Sequence, residues 1–469
     1  MKRPNILLLY CDQLRWDALG VNGNKDVKTP NLDKLAADGV NFTRHFVQHP
    51  LCMPSRVSFL SGQYPSTLGI THMGVPVPED LDILPHYLKP AGYTCANIGK
   101  LHFLPHANRD HREPHPAYGF DQLEISDEPG VYEDAYRAWV RKKDPTQLAH
   151  LSVGLPPATH TWYETMGVSD HVQHPDPEPR QDFDGPVPSP VDDGLTHSAF
   201  VAEQTQGFLR QQGERPFLCV AGFYAPHAPW RVPQRFLNLY DAETFELPSY
   251  PGDLQARRGE AGCSDEQLRR ARHGYYAMIS ELDHYVGEIL GTLQEQGLAG
   301  NTAVVFTSDH GEWLGEHLKY GKGYPGDDAV ARVPLIMRWP RGIDQPGRYV
   351  DDIVEAVDVV PTLLAAAGLQ IPPRLQGDSL LPALQALPFE GKGSALMEHH
   401  GWKNLRTEHF RYLIHADGSE GFWDMRDDPH ELHDVAGDAA YQQVLTDHRR
   451  ILLRRSLELE RPLPRTWPY

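Results

Sequence analysis

Four short apolar segments of the chain each end in residues with charged or imidazole side chains. A continuous apolar run is typical of a strand that is buried on both faces of a mostly parallel sheet. Open α/β sheets place their ligands at the carboxyl ends of such strands, where these polar residues stand. The pattern predicts an α/β fold with a large, mostly parallel mixed sheet flanked by helices and a site at the strand ends. The four segments are Ile6–Tyr10, Tyr93–Ile98, Pro216–Tyr224 and Thr302–Thr307.

The length, composition and net charge of the chain limit the classes of protein to which it can belong. With 469 residues, of which 40% are hydrophobic, the chain is long enough for a large core and two domains. Its formal net charge of −19 argues against a nucleic-acid surface and against a long polyanionic substrate lying across the protein, although a local basic pocket can coexist with it. The five cysteines are too few and too scattered for a disulfide framework.

The N-terminal residues favour a first strand over a targeting segment. Asn5–Tyr10 is too short for the apolar core of a signal peptide, and no small-residue cleavage site follows it. No stretch of the sequence approaches the length of a membrane span. We therefore expect a cytoplasmic protein that binds neither a membrane nor a nucleic acid.

Residues 47–62 lead from an irregular segment into a helix. Pro54 and Ser55 favour a helix start, which places Cys52 at a helix N-terminus, where free N–H groups and the helix dipole favour an anion. Arg56, one turn further on, adds a fixed positive charge beside it. An isolated cysteine is usually an ordinary buried thiol. Here the string continues to Leu-Ser-Gly at positions 60–62, and the whole pattern is far more specific than a lone cysteine.

This string resembles the signature of the type I sulfatases, which are members of the alkaline phosphatase superfamily. In that family a separate formylglycine-generating enzyme oxidises the cysteine to formylglycine, and Cys52, Pro54 and Arg56 match the triplet that it recognises. The resemblance implies an alkaline-phosphatase-like catalytic domain at residues 1–375. It also implies a smaller C-terminal domain at residues 376–469, built from an antiparallel sheet and a helix.

Two further regions bear on the substrate and on assembly. Residues 103–195 are poor in regular patterns, which predicts a long loop insertion that shapes the substrate pocket. The tail at residues 461–469 carries two aromatic side chains. The sequence leaves open whether this tail docks on its own chain or on a second subunit of a homo-oligomer.

Other motifs of the family recur in the chain. The second sulfatase signature, Gly-Lys-x-His, is matched by Lys100 and His102, which point the same way if the backbone is extended. A cation and a base together suit binding of an oxyanion and proton transfer on it. His227 lies in the Pro-His-x-Pro motif, whose histidine in the family contacts the sulfate and the leaving-group oxygen. Lys322 aligns with the Gly-Lys-Gly that supplies a sulfate-binding lysine, and we therefore choose it over Lys319.

Two carboxylates and an imidazole at strand ends predict a metal site. Asp12 and Asp309 are oxygen ligands for a divalent cation, and His310 adds a nitrogen. The resemblance implies one metal ion, with the formylglycine made from Cys52 as a further ligand. Calcium is the favoured ion, and manganese and zinc are the alternatives because imidazole also suits them. Gln13 is a candidate extra oxygen ligand where many relatives have a second aspartate.

The resemblance implies a sulfuric ester hydrolase that acts on a small sulfated substrate. A hydrated aldehyde at position 52 carries two hydroxyls. One attacks sulfur and displaces the alcohol, and loss of the second proton lets the hydrate collapse and expel sulfate. The remaining roles implied are orientation of the hydrate by Arg56, proton removal by His102, proton donation by His227, and neutralisation of sulfate oxygens by Lys100 and Lys322.

Two other interpretations of the sequence stay open. A phosphonate monoester or phosphodiester hydrolase of the same superfamily shares the metal, the formylglycine and the Asp-His pair. That branch replaces the lysine and histidine that this chain has at positions 100 and 102. A non-catalytic binding relative would have lost some of Cys52, Asp12, Asp309 or Arg56, and all four are present.

Overall fold

The computed structural model describes residues 3–105, 109–156, 159, 174–176, 178, 180 and 185–460. Parts of the 103–195 insertion and the whole 461–469 tail therefore lie outside the described residues. The main sheet has eight strands. They are β1 (Asn5–Cys11), β2 (Val40–Phe46), β3 (Thr94–Gly99), β4 (Gln122–Ile125), β5 (Phe217–Gly222), β6 (Thr302–Ser308), β7 (Leu335–Arg338) and β8 (Arg348–Glu355).

The strand order of this sheet is β8-β2-β7-β6-β1-β5-β3-β4. Only β7 runs against its neighbours among these strands, since it pairs antiparallel with β2 and β6. The central strands β6, β1, β5 and β3 are consecutive and parallel, so their carboxyl ends lie side by side. The predicted mostly parallel mixed sheet is confirmed.

Helices cover both faces of the sheet. The longer ones are α1 (Pro30–Ala37), α2 (Cys52–Ser61), α3 (Ala135–Lys143), α4 (His197–Arg210), α5 (Asp265–Glu295), α6 (Val359–Ala366) and α7 (Gln442–Glu458). Short helices span Pro65–Leu68, Leu84–Leu88, Gln234–Leu237, Gly252–Arg257, Asp328–Ala331 and Leu381–Leu384. A separate strand pair joins Val187–Pro188 to Arg231–Val232.

Alternation along β1 divides the core into two layers. Leu7 and Leu9 pack with residues of α1, α4 and α5 on one face of the sheet. Ile6 and Leu8 pack with residues of α2 and α6 on the other face. Every residue of β1 is buried, as its continuous apolar run predicts.

The C-terminal residues form the predicted small antiparallel sheet with a helix. Its strands are β9 (Ser394–His399), β10 (Trp402–Thr407), β11 (Phe410–His415) and β12 (Glu420–Asp424), paired in that order. Arg455 of α7 lies 2.8 Å from Glu355 at the end of β8, and both side chains are buried. This ion pair attaches the C-terminal helix to the main sheet.

Among the described residues, no helix combines the length and the apolar character that crossing a bilayer requires.

Candidate active site

Three charged residues directly follow strands of the central sheet. Asp12 follows β1, Lys100 follows β3 and Asp309 follows β6, and all three are buried. Because these strands are parallel and close together, their ends bring the side chains into contact. The Lys100 Nζ lies 2.8 Å from Asp12 Oδ2. The site therefore forms at the carboxyl end of the sheet, where the apolar runs predicted it.

Two glycines allow β3 and β5 to approach closely enough to place Lys100. The N–H of Lys100 donates to the Gly222 carbonyl oxygen at 2.8 Å. A Cβ on Gly222 would lie only 2.1 Å from the Lys100 carbonyl oxygen, and a Cβ on Gly99 only 2.1 Å from the Gly222 carbonyl oxygen. Gly99 also has a φ of +87°, which favours glycine. Any side chain at these positions would displace Lys100.

Helix α2 begins at Cys52, two residues earlier than Pro54 and Ser55 suggested. The thiol is buried in the first turn, where the N–H groups of a helix are unsatisfied. Its Sγ lies 2.6 Å from Lys322 Nζ and 3.2 Å from His310 Nε2. The residue that matches the family cysteine is thus within contact distance of a cation and an imidazole.

Four side chains form a cluster able to hold a metal ion. Asp12, Cys52, Asp309 and His310 each offer one ligand atom, and these atoms lie within 4.8 Å of one another. His310 Nδ1 lies 2.9 Å from the Gly311 carbonyl oxygen, which can only accept, so this nitrogen carries hydrogen. His310 Nε2 is then directed at the carboxylates, 3.3 Å from Asp12 Oδ1 and 3.5 Å from Asp309 Oδ1.

The electrostatics of the cluster favour positive charge. Burial alone would lower the pKa of His310, but the Asp309 carboxylate, together with Cys52 and Asp12, raises this pKa to about 10. Burial likewise opposes ionisation of Asp12, yet the ammonium groups of Lys100 and Lys322 hold its pKa well below the usual range. Two buried carboxylates at one point stabilise a cation placed between them.

Arg56 links several strand ends to α2. Its Nε donates to Asp309 Oδ2 at 2.7 Å, and its two Nη atoms donate to the carbonyl oxygens of Lys100 and Cys11 at 3.2 Å. The guanidinium also stacks over the Tyr10 ring, 4.6 Å from its centroid. The arginine of the motif therefore holds the helix start against the sheet.

The two candidate lysines of the 319–322 segment occupy different surroundings. Lys322 contacts Cys52, as described, and lies 3.9 Å from Asp12 Oδ1. Lys319 instead lies over the Trp313 ring at 4.8 Å and donates to the Tyr324 carbonyl oxygen.

His227 lies next to Tyr224, whose ring in turn lies beside Lys100. Its ring centroid lies 4.9 Å from that of Tyr224, and the Tyr224 ring lies 5.0 Å from Lys100 Nζ. The Nδ1 of His227 donates to the Ala228 carbonyl oxygen, which leaves Nε2 as an acceptor. Burial and then the Lys322 ammonium lower the pKa of His227 well below its ordinary value.

His102 departs from the geometry that the sequence pattern assumed. Its φ is +57°, and Gly99 also has a positive φ, so the backbone from Gly99 to His102 is not extended. The premise that the backbone is extended at Lys100 and His102 is therefore wrong. The N–H of His102 donates to Asp127 Oδ1 at 2.8 Å.

Two residues of the insertion reach the site without any signal in the sequence. Glu128 Oε1 lies 3.4 Å from Lys100 Nζ, and its other oxygen pairs with Arg180. Arg180 Nη1 also lies 3.4 Å from the Tyr224 hydroxyl. Both residues sit in a region without periodicity, so only the folded chain brings them to Lys100.

Gln13 lies beside the cluster with one polar atom unsatisfied. Its N–H donates to Asp309 Oδ1 at 3.1 Å, and its side-chain Nε2 donates to Glu312 Oε2. The Oε1 of Gln13 is buried and has no hydrogen-bond partner among the described residues. A buried orphan oxygen next to two carboxylates and an imidazole fits a ligand set for a divalent cation.

Two family models match the chain. The model described as Sulfatase covers residues 4–369, and the model described as N-sulphoglucosamine sulphohydrolase, C-terminal, covers residues 315–457.

Known proteins match over most of the chain. An arylsulfatase of Clostridium perfringens is 28% identical over 491 residues, covering 96% of this chain and 94% of the relative. An iduronate 2-sulfatase of Mus musculus is 30% identical over 427 residues, covering 79% of this chain and 70% of the relative. The solved phosphonate monoester hydrolase of Agrobacterium radiobacter superposes with a TM-score of 0.82 at 26% identity, covering 97% of this chain and 96% of that one.

Proposed function

The chain belongs to the sulfatase family of the alkaline phosphatase superfamily and is a sulfuric ester hydrolase, and we propose that it cleaves a sulfate monoester through a formylglycine made from Cys52, beside one divalent cation. The observation that carries this proposal is the position of Cys52. Its sulfur lies in the first turn of α2, in contact with Lys322 Nζ and within the cluster of two carboxylates and one imidazole.

The residues that would hold the cation are Asp12, Asp309 and His310, with the orphan Oε1 of Gln13 and the modified residue 52. The carboxylate and amide oxygens suit calcium, which we propose as the ion, and the imidazole makes manganese and zinc the alternatives. Such an ion supplies positive charge that lowers the pKa of a hydroxyl group on residue 52.

Maturation would make residue 52 a nucleophile that can be regenerated. A formylglycine-generating enzyme is the partner that the Cys52, Pro54 and Arg56 triplet fits. The hydrated aldehyde supplies two hydroxyls. The oxygen of the first bonds to sulfur as the bond from sulfur to the alcohol oxygen breaks and the alcohol takes a proton. Loss of the proton of the second hydroxyl then expels sulfate, restores the aldehyde and lets water rehydrate it.

The side chains around residue 52 divide the remaining work. Lys100 and Lys322 are the ammonium groups that would neutralise oxygens of the bound sulfate. Arg56 fixes the start of α2 against Asp309 and so orients residue 52. Burial and the Lys322 ammonium lower the pKa of His227, and the negative charge of a bound sulfate would raise this pKa toward that of an acid for the leaving oxygen. We assign His102 as the base that takes the proton of the second hydroxyl.

The domain boundaries follow from the same proposal. We assign residues 1–375 to the catalytic domain and residues 376–469 to a smaller C-terminal domain. The contact of Glu128 with Lys100 supports a substrate-shaping role for the 103–195 insertion. The substrate class that we propose is a small sulfate ester, whose single sulfate Lys100 and Lys322 can neutralise.

A phosphonate monoester or phosphodiester hydrolase is the second candidate function. The likeness to the phosphonate monoester hydrolase of Agrobacterium radiobacter, at a TM-score of 0.82, favours it. The lysine and histidine at positions 100 and 102 favour the sulfatase, because we expect the phosphonate branch to replace them. A sulfate monoester is therefore the substrate that we place first.

A comparison of two chromogenic substrates tests the proposal. The protein is made together with the modifying enzyme and assayed with an aryl sulfate and with an aryl phosphonate monoester, using Cys52→Ala as the control. We expect the aryl sulfate to be turned over with the higher kcat/KM and the control to be inactive. A higher kcat/KM for the phosphonate would favour the second candidate, and no turnover of either substrate by fully converted protein would contradict both.

A further inference from the structure

Glu312 is a fully buried carboxylate close to the cluster, three residues after Asp309. Its Oε1 accepts hydrogen bonds from the backbone N–H groups of Leu314, at 3.0 Å, and Gly321. Its Oε2 accepts from the side-chain Nε2 of Gln13. Glu312 therefore connects the end of β6 to the residue after Asp12 and to the segment that carries Lys322.

The Glu312 contact determines which way the Gln13 amide can face. Glu312 accepts a hydrogen bond from the Gln13 Nε2, so the Gln13 amide turns its NH2 group toward Glu312. The amide oxygen is then directed away from Glu312. This oxygen is the buried Oε1 that lacks a hydrogen-bond partner among the described residues. The backbone N–H of Gln13 at 3.1 Å from Asp309 Oδ1 places the residue beside the candidate metal ligands.

We propose that Glu312 is a positioning residue that fixes the Gln13 amide with its oxygen available to the cation, and that it thereby sets the cation affinity of the site. This inference rests on the metal site of the proposed function. Partners of metal ligands typically change metal affinity by about 10- to 100-fold when they are lost. Glu312 acts here through Gln13 and need not touch the ion or the substrate.

Glu312→Gln is the variant that isolates this effect. Its side-chain oxygen can still accept from the N–H groups of Leu314 and Gly321, so the backbone contacts of the carboxylate are retained. Its NH2 group faces the NH2 group of Gln13, and relief of that conflict requires the Gln13 amide to flip. The flipped amide presents NH2 where the cation needs an oxygen.

The test measures binding of Ca²⁺, Mn²⁺ and Zn²⁺ by calorimetry to the full chain, in the unmodified thiol form, with no substrate present. We expect Glu312→Gln to weaken binding by about 10- to 100-fold. Gln13→Met, which keeps the volume and loses the oxygen, should weaken it similarly. The double variant should be no weaker than Gln13→Met alone, because Glu312 acts only through the amide.

Each other outcome contradicts the inference in a recognisable way. Wild-type affinity in Glu312→Gln, or in Gln13→Met if the first variant does not fold, would overturn it. Equal losses from Glu312→Gln in the wild-type and Gln13→Met backgrounds would show a general structural role instead. If the wild-type protein binds none of the three ions, the metal site of the proposed function fails, and this inference fails with it. Thermal melting of each variant without added metal provides the check on folding.

Discussion

Lys322 Nζ lies 2.6 Å from Cys52 Sγ, although 270 positions separate the two residues in the sequence. The ammonium group and the first turn of α2 both present positive charge at this point. An oxyanion formed on residue 52 or bound next to it is therefore stabilised from two sides.

Replacing Lys322 tests this contact. We expect Lys322→Ala to lower kcat/KM for an aryl sulfate by about 100- to 1000-fold, the usual cost of one oxyanion contact. Lys319→Ala is the matched control, since that lysine lies over the Trp313 ring, and it should change kcat/KM only a few-fold. Similar losses in both variants would contradict the role assigned to Lys322.

Asp12→Asn tests the metal site. We expect the variant to lose the bound cation, because a carboxylate oxygen of the cluster becomes a weaker amide ligand. It should also lose a few kcal/mol of stability, because Lys100 is left buried with less compensating charge. Metal analysis and thermal melting measure the two effects.

Asp17→Asn provides the comparison for Asp12→Asn. Asp17 lies in the same loop, and its side chain is 51% exposed and pairs with Arg15. This variant should keep its metal. Retention of metal by Asp12→Asn at the wild-type level would place the ion elsewhere.

Gly222→Ala tests how the backbone places Lys100. The added Cβ would lie 2.1 Å from the Lys100 carbonyl oxygen, so β3 and β5 must separate. We expect a fall in kcat/KM of at least the roughly 100-fold that one oxyanion contact is worth, together with a lower melting temperature. Gly207→Ala in α4 has open space around its Cβ and should match or slightly exceed wild-type stability. Equal behaviour of the two variants would contradict this explanation.

Glu128→Gln tests the link between the insertion and the sulfate site. Removing the charge leaves Lys100 and Arg180 without their shared carboxylate, so Lys100 should be less well positioned. We expect kcat/KM for an aryl sulfate to fall by about tenfold or more, in the range that such supporting contacts give. Glu133→Gln, at an exposed ion pair of α3, is the control and should leave kcat/KM unchanged. An unchanged kcat/KM in Glu128→Gln would confine the insertion to a structural role.

Local patterns predicted the parts of the fold that depend on local sequence. The four apolar segments predicted as buried strands are confirmed as β1, β3, β5 and β6, within two residues at each end. Helix α5 begins at Asp265, where Ser264 and Gln267 cap it reciprocally, which is also a local signal. Strand β8 carries no such local signal. Its burial alternates irregularly and it pairs on one side only, with β2, so it has no continuous apolar run.

The site shows the same division between local and tertiary information. Asp12, Lys100 and Asp309 could be placed together because parallel strands end at a common edge. The positive φ of His102 could not be predicted, because a non-glycine residue carries little local signal for it. Glu128 reaches Lys100, and Arg180 reaches Glu128, only through tertiary folding of a segment without periodicity.

Asp12 has a second role besides that of a candidate metal ligand. Asp12 is fully buried and pairs with Lys100, so the same side chain that would hold the cation also balances a buried ammonium group. Ligand binding and stability are coupled at this residue.

Measuring the chemical state of residue 52 tests the proposed formylglycine mechanism most directly. Preparations made with different amounts of the modifying enzyme are digested, and the mass of the peptide that contains residue 52 gives the fraction converted to the lighter aldehyde form. We predict that turnover of an aryl sulfate rises in proportion to this fraction, from zero in the unconverted protein. Full activity from a preparation whose residue 52 is entirely an unmodified thiol would contradict it.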